Sequence, residues 1–249
     1  MIEVKGLVKK FGEFTAVNKV DLSIKGGEIY GFLGPNGAGK TTTIRMLTGT
    51  LNPTEGDIRI LDKDIRKDDI QIKSEIGVVP DEPKMYENLR GFEYVEFIMG
   101  IYKVDKTEAK KRLDEICEAF DIDFLNDYIG DYSHGMKQKL MVATVLMRKP
   151  KVIFLDEPTV GLDAKSAKIL KMLIQKYRDE GSTIFLTTHI LEIAEKMCDR
   201  IGIIKDGSII AQGTMEELRS KSTQHNKSLE DIFLELTGDE EIDNIVKEL

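Results

Sequence analysis

A chain of 249 residues is long enough to bury the core of one large domain, or of a core domain with a subdomain. Its formal net charge of −8 disfavours nucleic acid as the main partner, because the phosphate backbone attracts basic surfaces. No stretch approaches the roughly 18 apolar residues of a membrane span, and the charged start MIEVKGLVKK is not typical of a signal peptide.

Short apolar runs bounded by glycine and aspartate predict eight strands separated by helical patterns, which indicates an α/β core. The runs are IEVKGLV, VDLSI, EIYGFL, DIRIL, IGVVP, KVIFLD, STIFLTT and RIGIIKDG. Gly26 and Gly27 predict a tight turn between the second and third runs, so an antiparallel pair is expected among the first strands. KVIFLD and STIFLTT are almost continuously apolar, which is typical of central parallel strands, and the helical pattern of residues 164–180 between them completes a βαβ unit.

A glycine-rich segment, GPNGAGKTT at residues 34–42, follows the third apolar run and precedes a predicted helix. It matches the phosphate-loop pattern G-x-x-x-x-G-K-[ST]. Backbone N–H groups of such a loop surround phosphate oxygens, and glycine leaves them room to do so. Lys40 is expected to reach the β- and γ-phosphates of a nucleotide, and the Thr41 hydroxyl to ligate Mg²⁺. The residues predicted to bind the nucleotide here are Gly34, Pro35, Asn36, Gly37, Ala38, Gly39, Lys40, Thr41 and Thr42.

Residues 84–150 show helical rather than strand patterning. Leu113, Ile116, Cys117 and Phe120 recur at helical spacing, and helices are also predicted over GFEYVEFIMGIY and SHGMKQKLMVATVLMRK. We therefore expect a helical subdomain over residues 84–150, inserted into an ATP-binding α/β core formed by residues 1–83 and 151–221. The C-terminal tail, residues 222–249, is predicted to contain two short helices, LEDIFLEL and EEIDNIVKEL. Cys117 and Cys198 form no C-x-x-C pair, so we expect small buried side chains rather than a disulfide or a metal site.

The strand KVIFLD ends in two adjacent acids. Asp156 lies at the carboxyl end of the strand and is expected to bind Mg²⁺ directly or through water. Glu157 beside it is expected to orient and deprotonate an attacking water molecule. A single acid in this position is often a helix cap or a surface charge, but two acids downstream of a phosphate loop indicate phosphoryl-transfer chemistry.

These motifs make the chain, from residue 1 to about residue 220, resemble the nucleotide-binding subunit of an ATP-binding cassette (ABC) transporter. The resemblance implies that Phe11 stacks on adenine and that His189, in TTHIL, contacts the γ-phosphate as the switch histidine. It also implies that Asp163 belongs to the D-loop PTVGLD, and that Ser133 and Gly135 of the signature YSHGMKQKL bind the nucleotide. The Q-loop is identified at VVPDEP.

Two of these motifs depart from the usual family pattern. His134 and Met136 replace a glycine and the glutamine of the signature L-S-G-G-Q, and His134 disfavours a positive φ there. Asp81 stands where the Q-loop has glutamine; its carboxylate is a candidate metal contact but cannot donate a hydrogen bond as glutamine does. Both changes, and the tail segment SLEDIFLELTG, resemble cassette ATPases that serve ABC-2-type exporters.

The fold implied by the resemblance is α/β, a P-loop NTPase core with a mixed sheet, antiparallel N-terminal strands and an inserted helical subdomain. The implied function is ATP hydrolysis with Mg²⁺, in a subunit that powers separate membrane-spanning chains of an exporter. Two cassettes, in a homodimer or a heterodimer, would close head to tail over two ATP molecules. The implied location is peripheral, at the cytoplasmic face of the cell membrane, without nucleic acid.

Three other functions stay open at this point. A cassette ATPase of nucleic-acid maintenance or translation would use the same motifs, although the former usually carries long coiled coils and the latter usually two cassettes. A small-molecule kinase would use the phosphate loop but would need neither a signature nor a D-loop. A nucleotide-binding scaffold without hydrolysis would not need Asp156, Glu157 and His189 together.

Overall fold

The computed structural model describes residues 1–221 and 228–237; the helix predicted over residues 240–249 lies outside them. The strands in this part of the chain are β1 (Ile2–Phe11), β2 (Phe14–Ile24), β3 (Ile29–Leu33), β4 (Glu55–Ile60), β5 (Lys63–Asp64), β6 (Ile76–Val79), β7 (Val152–Asp156), β8 (Thr183–Thr187), β9 (Arg200–Lys205) and β10 (Ser208–Gly213). The helices are α1 (Lys40–Leu47), α2 (Asp69–Glu75), α3 (Gly91–Tyr102), α4 (Lys106–Phe120), α5 (His134–Leu146), α6 (Ala164–Asp179), α7 (Leu191–Met197), α8 (Met215–Lys221) and α9 (Leu229–Thr237).

The strands form two sheets. The first has the order β2-β1-β4-β5 and is antiparallel throughout. The second has the order β10-β9-β3-β8-β7-β6, and only its edge pair β9–β10 is antiparallel. The predicted α/β class, with antiparallel N-terminal strands beside a largely parallel sheet, is therefore confirmed.

Four loops, each following a parallel strand, lie together at the carboxyl-terminal edge of the second sheet. Parallel strands place their carboxyl ends together, so the segments that follow β3, β6, β7 and β8 emerge side by side. Strand β8 lies between β3 and β7, with Thr187 in register with Asp156. Strands β3, β7 and β8 are buried over their whole length, which agrees with their continuous apolar sequences.

The antiparallel pair at the N-terminus is not formed at Gly26–Gly27, where the sequence predicts a tight turn. A turn occurs there, but β2 and β3 belong to different sheets, and the Gly27 N–H donates to Thr183 Oγ1 at 3.2 Å. The hairpin instead joins β1 to β2, which pair from Phe11 opposite Phe14, with Gly12 at a φ of 58°. The Gly26–Gly27 connection resembles a hairpin turn in sequence, but the strand that follows it, β3, pairs within the second sheet and not with β2.

Strand β10 is missing from the sequence prediction. It pairs with β9 through the turn Asp206–Gly207, whose two residues have φ values of 48° and 76°. An Asp-Gly pair with positive φ at both positions is the preferred two-residue hairpin turn, so the sequence carried the signal. The weak alternation in SIIAQG made the strand hard to recognise.

The helices of the predicted insertion share their core with the sheet. Buried side chains of α3, α4 and α5, including Met99, Leu113 and Leu140, belong to one apolar cluster with Ile153 and Leu186 of the central strands. Helices α4 and α5 begin at side-chain caps: Asp105 accepts from the Glu108 N–H at 2.9 Å, and Ser133 accepts from the Met136 N–H at 3.2 Å. The insertion therefore packs against the sheet through the same cluster, and the division into domains stays a prediction.

Helix α9 occupies residues for which the sequence predicts the helical segment LEDIFLEL. Its residues Leu229 and Ile232 are buried in a third cluster with Leu33, Ala194 and Leu218. No helix in the ranges 1–221 and 228–237 combines the length and apolar character needed to cross a membrane.

Candidate functional site

The phosphate loop connects β3 to α1, and two of its glycines are required by close backbone contacts. A Cβ atom on Gly34 would lie 2.3 Å from the carbonyl oxygen of Ile204, and one on Gly39 would lie 2.5 Å from that of Ala16. Gly39 also has a φ of 106°, which side-chain-bearing residues rarely adopt. Gly37, at a φ of 80°, has open space around it, which leaves room for a ligand at the tip of the loop.

Lys40 is the first residue of α1 and is buried. Its Nζ donates to the carbonyl oxygens of Gly34 at 2.7 Å and Pro35 at 3.2 Å, so the ammonium group lies inside the loop. Burial lowers the pKa of Lys40, while the nearby carboxylates of Glu157 and Asp156 oppose this shift. An ammonium group held beside phosphate-sized space is a suitable partner for an anionic ligand.

Asp156 and Glu157 end β7 in two different environments. Asp156 is buried, and Thr187 Oγ1 of the neighbouring strand donates to its Oδ1 at 2.5 Å. Glu157 has a φ of 48°, and its N–H donates to the carbonyl oxygen of Thr187 at 3.2 Å. The left-handed backbone turns the chain sharply out of the strand at this point, which is a strained conformation typical of functional sites.

Glu157 and His189 are in direct contact. Glu157 Oε2 lies 2.9 Å from His189 Nδ1 and accepts the backbone N–H of His189 at 3.2 Å. An ionised carboxylate only accepts hydrogen bonds, so this contact assigns the proton to Nδ1. The structure thus brings together the two residues that the sequence analysis named as catalytic, which lie 32 positions apart.

Two cavities meet at these groups. The loop cavity, of about 360 Å³, contains Phe11, Phe14 and Asp156 together with phosphate-loop residues Asn36, Gly37, Gly39, Lys40, Thr41 and Thr42. The histidine cavity, of about 370 Å³, contains Gly34, Pro35, Thr188, His189 and Phe233. Asn36, Asp81 and Glu157 line both. A larger cavity of about 590 Å³ beside β4 and α2 contains none of these residues.

The candidate metal ligands also share a cleft. Thr41, Asp81 and Asp156 line one opening of about 490 Å³. No group of three or more histidine, cysteine, aspartate or glutamate side chains in the described ranges is placed to hold a metal by itself. Two carboxylates and a hydroxyl are hard oxygen donors, and Mg²⁺ typically takes one or two carboxylates together with phosphate oxygens and water. The donor set therefore fits Mg²⁺ bound together with a phosphate ligand.

Ser133 and Gly135 lie apart from the phosphate loop of their own chain. Neither lines the loop cavity or the histidine cavity in the part of the chain that the structure describes. They start α5, where Ser133 caps the helix. A Cβ atom on Gly135 would lie 2.8 Å from the carbonyl oxygen of Gly161, so α5 begins against the loop that follows Glu157.

The loop between β7 and α6, residues 157–163, is tied to α5 by further contacts. Gln138 is fully buried, and its Nε2 donates to the carbonyl oxygen of Pro158 at 3.2 Å. The His134 ring occupies the space where a Cβ atom on Gly161 would lie. Asp163 caps α6 by accepting the N–H of Ser166 at 2.8 Å and its hydroxyl at 2.7 Å, which holds the pKa of Asp163 well below its ordinary value.

Four residues at these sites, Phe14, Thr187, Gln138 and Phe233, were not predicted from the sequence. Phe14 lies across the β1–β2 hairpin from Phe11, and both side chains are exposed, by 64% and 50%. Thr187 was detectable as a polar residue closing an apolar strand. Gln138 and Phe233 gave no local signal, because their roles depend on how α5 and α9 pack.

The two predicted buried cysteines are half-buried and unpaired with each other. Burial raises the pKa of the Cys117 thiol to about 11 and that of Cys198 to about 12. A thiol that stays protonated at neutral pH is a poor nucleophile. The sequence predicted small buried side chains, whereas both cysteines are only half-buried.

Comparison with known proteins gives the same result as the motifs. The family model described as ABC transporter matches residues 17–160. The multidrug ABC transporter ATP-binding protein YbhF of Escherichia coli, itself assigned as probable, is 35% identical over 243 residues, which cover 96% of this chain and 42% of YbhF. The chain thus spans less than half of that relative. The linearmycin resistance ATP-binding protein LnrL of Bacillus subtilis is 37% identical over 222 residues, 89% of this chain and 71% of LnrL.

Solved structures are similar over most of the chain. The ATP-binding subunit of an ABC transporter superposes with a TM-score of 0.92 at 29% identity, covering 95% of this chain and 99% of the other. The ATP-binding cassette MJ0796, solved as a dimer in a post-hydrolysis state with ADP and Pi, superposes with a TM-score of 0.78 at 28% identity, covering 86% of this chain and 99% of the other. The motifs, the fold and these similarities together show that the chain belongs to the ABC transporter family, as an ATP-binding cassette.

Proposed function

We propose that this chain binds ATP with Mg²⁺ and hydrolyses it to drive an ABC exporter whose membrane-spanning subunits are separate chains. The observation that carries the proposal is the contact of Glu157 with His189, 2.9 Å apart, at the junction of the two cavities and beside the phosphate loop. A general base that activates water must be held in a fixed orientation beside the phosphate that is attacked, and Glu157 meets both requirements if a nucleotide binds in the loop cavity.

Each residue of the site has a proposed part. Phe11 stacks on the base, and the phosphate loop with Lys40 holds the β- and γ-phosphates. Thr41 and Asp156, with Asp81, would hold Mg²⁺, which neutralises phosphate charge when bound. Glu157 accepts a proton from the attacking water, and His189 orients Glu157 and contacts the γ-phosphate.

The arrangement of the signature supports a dimer of cassettes. Within the described residues, Ser133 and Gly135 line neither the loop cavity nor the histidine cavity, which favours their contacting a nucleotide held by a second cassette. The similar cassette MJ0796 was solved as a dimer. We propose that Ser133 and Gly135 of one copy close over the γ-phosphate held by the other, with Asp163 in the loop between the two sites.

An exposed apolar face on α3 supports a protein partner. Phe97 and Ile101, one helical turn apart, are exposed, and Tyr86 packs edge-on against Phe97 with ring centroids 5.5 Å apart. We propose that membrane-spanning subunits dock here and keep the chain at the cytoplasmic face of the membrane. The name of LnrL, a linearmycin resistance ATP-binding protein, supports export as the direction of transport.

The test measures release of inorganic phosphate from MgATP by the purified chain. We expect turnover that falls by about 10²- to 10⁴-fold in Glu157→Gln, while this variant still binds ATP. Turnover that survives unchanged in Glu157→Gln would refute the proposed role of the base, and absence of nucleotide binding by the native chain would refute the function as a whole.

The partner is tested by co-purification from membranes. We expect a polytopic membrane protein to be retained by the native chain and lost with Phe97→Ser. Met172 is an exposed apolar residue on α6, away from this face. The variant Met172→Ser is therefore the matched control and should retain the partner. Recovery of nucleic acid or ribosomes instead would favour the alternative of a cassette ATPase in nucleic-acid maintenance or translation, which the net charge of −8 disfavours.

A further inference from the structure

His189 is carried by a short connection that has little support of its own. It lies between β8 and α7, and α7 is seven residues long with no side-chain cap at its start. Within the turn, the Ile190 N–H donates to Thr188 Oγ1 at 3.0 Å, and the Ile190 carbonyl accepts the Ile193 N–H at 3.0 Å. An uncapped helix of about two turns is not stable by itself, so the position of His189 depends on what packs against α7.

Helix α7 is packed between the sheet and the C-terminal helices. Ala194 of α7 is fully buried in a cluster that contains Ile201 and Ile203 from β9. Leu229 and Ile232 of α9 belong to the same cluster, and α9 contacts α7 directly. Removing α9 would expose this apolar cluster to water.

Polar contacts fix α9 in this place at both ends. Ser228 and Asp231 cap its start reciprocally: the Ser228 N–H donates to Asp231 Oδ2 at 3.0 Å, and the Asp231 N–H donates to Ser228 Oγ at 3.2 Å. At the other end, Lys205 Nζ donates to the carbonyl oxygen of Thr237. Helix α9 is therefore held to β9, which pairs with the strand that precedes the phosphate loop.

Phe233 extends from α9 to the site itself. It packs on the cluster around Ala194 and also lines the histidine cavity, together with His189, Glu157 and Pro35. Leu236 packs on the same cluster from the same helix but does not line that cavity. Substitutions at these two residues can therefore distinguish the packing of α9, to which both contribute, from the lining of the histidine cavity, to which only Phe233 contributes.

We propose that Phe233 is a positioning residue, through which the C-terminal helix holds the loop of His189 against Glu157. This inference rests on the proposed ATP hydrolysis. In this proposal, α9 helps to orient the catalytic base Glu157, because the Glu157–His189 contact forms only when His189 is correctly placed. A base displaced by about 1 Å can lose on the order of a hundredfold in rate.

The experiment compares Phe233→Ala with Leu236→Ala in the full chain. We expect Phe233→Ala to lower kcat about tenfold or more, with little change in KM for MgATP, because Lys40 and Thr41 do not line the cavity that Phe233 lines. Leu236→Ala should keep kcat close to that of the native chain. Phe233→Leu, which restores apolar packing at the cavity wall, should recover most of the loss.

A spectroscopic readout separates positioning from general stability. The chain has three histidines, so the imidazole resonances of His189 can be assigned by comparison with His189→Gln. Phe233→Ala should shift these resonances and Leu236→Ala should not. If Phe233→Ala fails to fold, Phe233→Val takes its place, with a smaller expected loss in the same direction.

Two results would overturn the inference: native kcat in Phe233→Ala, or an equal loss in Leu236→Ala. These outcomes differ from failure of the proposed function. A native chain that turns over no ATP refutes the hydrolysis itself, whereas native turnover that is insensitive to Phe233 refutes only the positioning role.

Discussion

Glu157 and His189 are joined by two hydrogen bonds, one to the ring Nδ1 at 2.9 Å and one to the backbone N–H at 3.2 Å. Both end at the same carboxylate oxygen, Oε2. The second oxygen of Glu157 is not used in this contact and is the atom that can accept a proton from water. A carboxylate fixed through one oxygen and available through the other has the geometry of a general base.

Replacing Glu157 by glutamine should lower the rate of ATP hydrolysis by about 10²- to 10⁴-fold, the usual effect of removing a positioned base. The amide keeps the size of the side chain, and its oxygen still accepts a bond from His189, so nucleotide affinity should change little. Steady-state kinetics and equilibrium binding with a non-hydrolysable analogue measure the two effects separately. Equal losses in affinity and rate would argue for a binding role instead.

Replacing Lys40 by alanine should weaken nucleotide binding by about 10- to 150-fold, because a hydrogen bond to a charged group contributes about 1.5–3 kcal/mol. Lys40 now satisfies the carbonyl oxygens of Gly34 and Pro35, and a phosphate would compete for the same ammonium protons. Lys168→Ala, on the exposed face of α6, removes the same charge and should bind ATP normally. Calorimetry on both variants checks the assignment of the phosphate loop.

The aromatic pair at the loop cavity gives a prediction that separates two neighbours. Phe11 is the residue that the family resemblance selects for adenine, but Phe14 lines the same cavity and is the more exposed of the two. We expect Phe11→Ala to weaken ATP binding about 5- to 150-fold, the range of about 1–3 kcal/mol for base stacking, and Phe11→Tyr to preserve it. If Phe14→Ala shows the larger loss in the same titration, then Phe14 is the stacking residue.

The parts of the fold that the sequence predicted are those in which a local pattern has a single structural meaning. The apolar runs of β3, β7 and β8 are continuous because these strands are buried on both faces. The glycines at positions 34 and 39 could be recognised because they stand at fixed places in the phosphate-loop pattern G-x-x-x-x-G-K-[ST]. Such features depend on near neighbours in the chain.

The predictions that were wrong concern which sheet a strand joins, and no local sequence pattern carries this information. Gly26–Gly27 has the composition of a hairpin turn, yet β3 pairs with β8 and β9, more than 150 positions away. Likewise, Thr187 supports Asp156 only because β8 lies between β3 and β7. Strand order is decided by the packing of the whole sheet, so the role of Thr187 was not found from the sequence. The role of Phe233 was not found either, because it depends on how α9 packs.

Asp163 gives a prediction about pH. Its hydroxyl and N–H bonds from Ser166, with a smaller effect of Lys139, hold its pKa below the ordinary value of 3.8. A carboxylate whose pKa is lowered on folding stabilises the protein above its unfolded pKa, and this stabilisation is lost as the pH falls. Between pH 7 and pH 3, the native chain should therefore lose more thermal stability than Asp163→Asn, which keeps a cap acceptor but does not titrate. Parallel melting curves for the two proteins over this range would contradict the assignment.

Gly135 and Gly100 are both helical glycines, but only the first is close to another backbone. A Cβ atom on Gly135 would lie 2.8 Å from the carbonyl oxygen of Gly161, whereas one on Gly100 would meet nothing within 4 Å. Helix propensity alone favours alanine over glycine by about 0.5–1 kcal/mol, so Gly100→Ala should stabilise the chain by that amount. Gly135→Ala should instead destabilise it by about 1–3 kcal/mol, the usual cost of overpacking, because Gln138 holds the facing loop at Pro158 and the oxygen cannot retreat freely. Chemical unfolding of the two variants measures the difference. Equal stabilisation by both variants would mean that α5 and the loop of residues 157–163 can move apart without loss of stability. In that case the contacts of α5 would not fix the position of this loop.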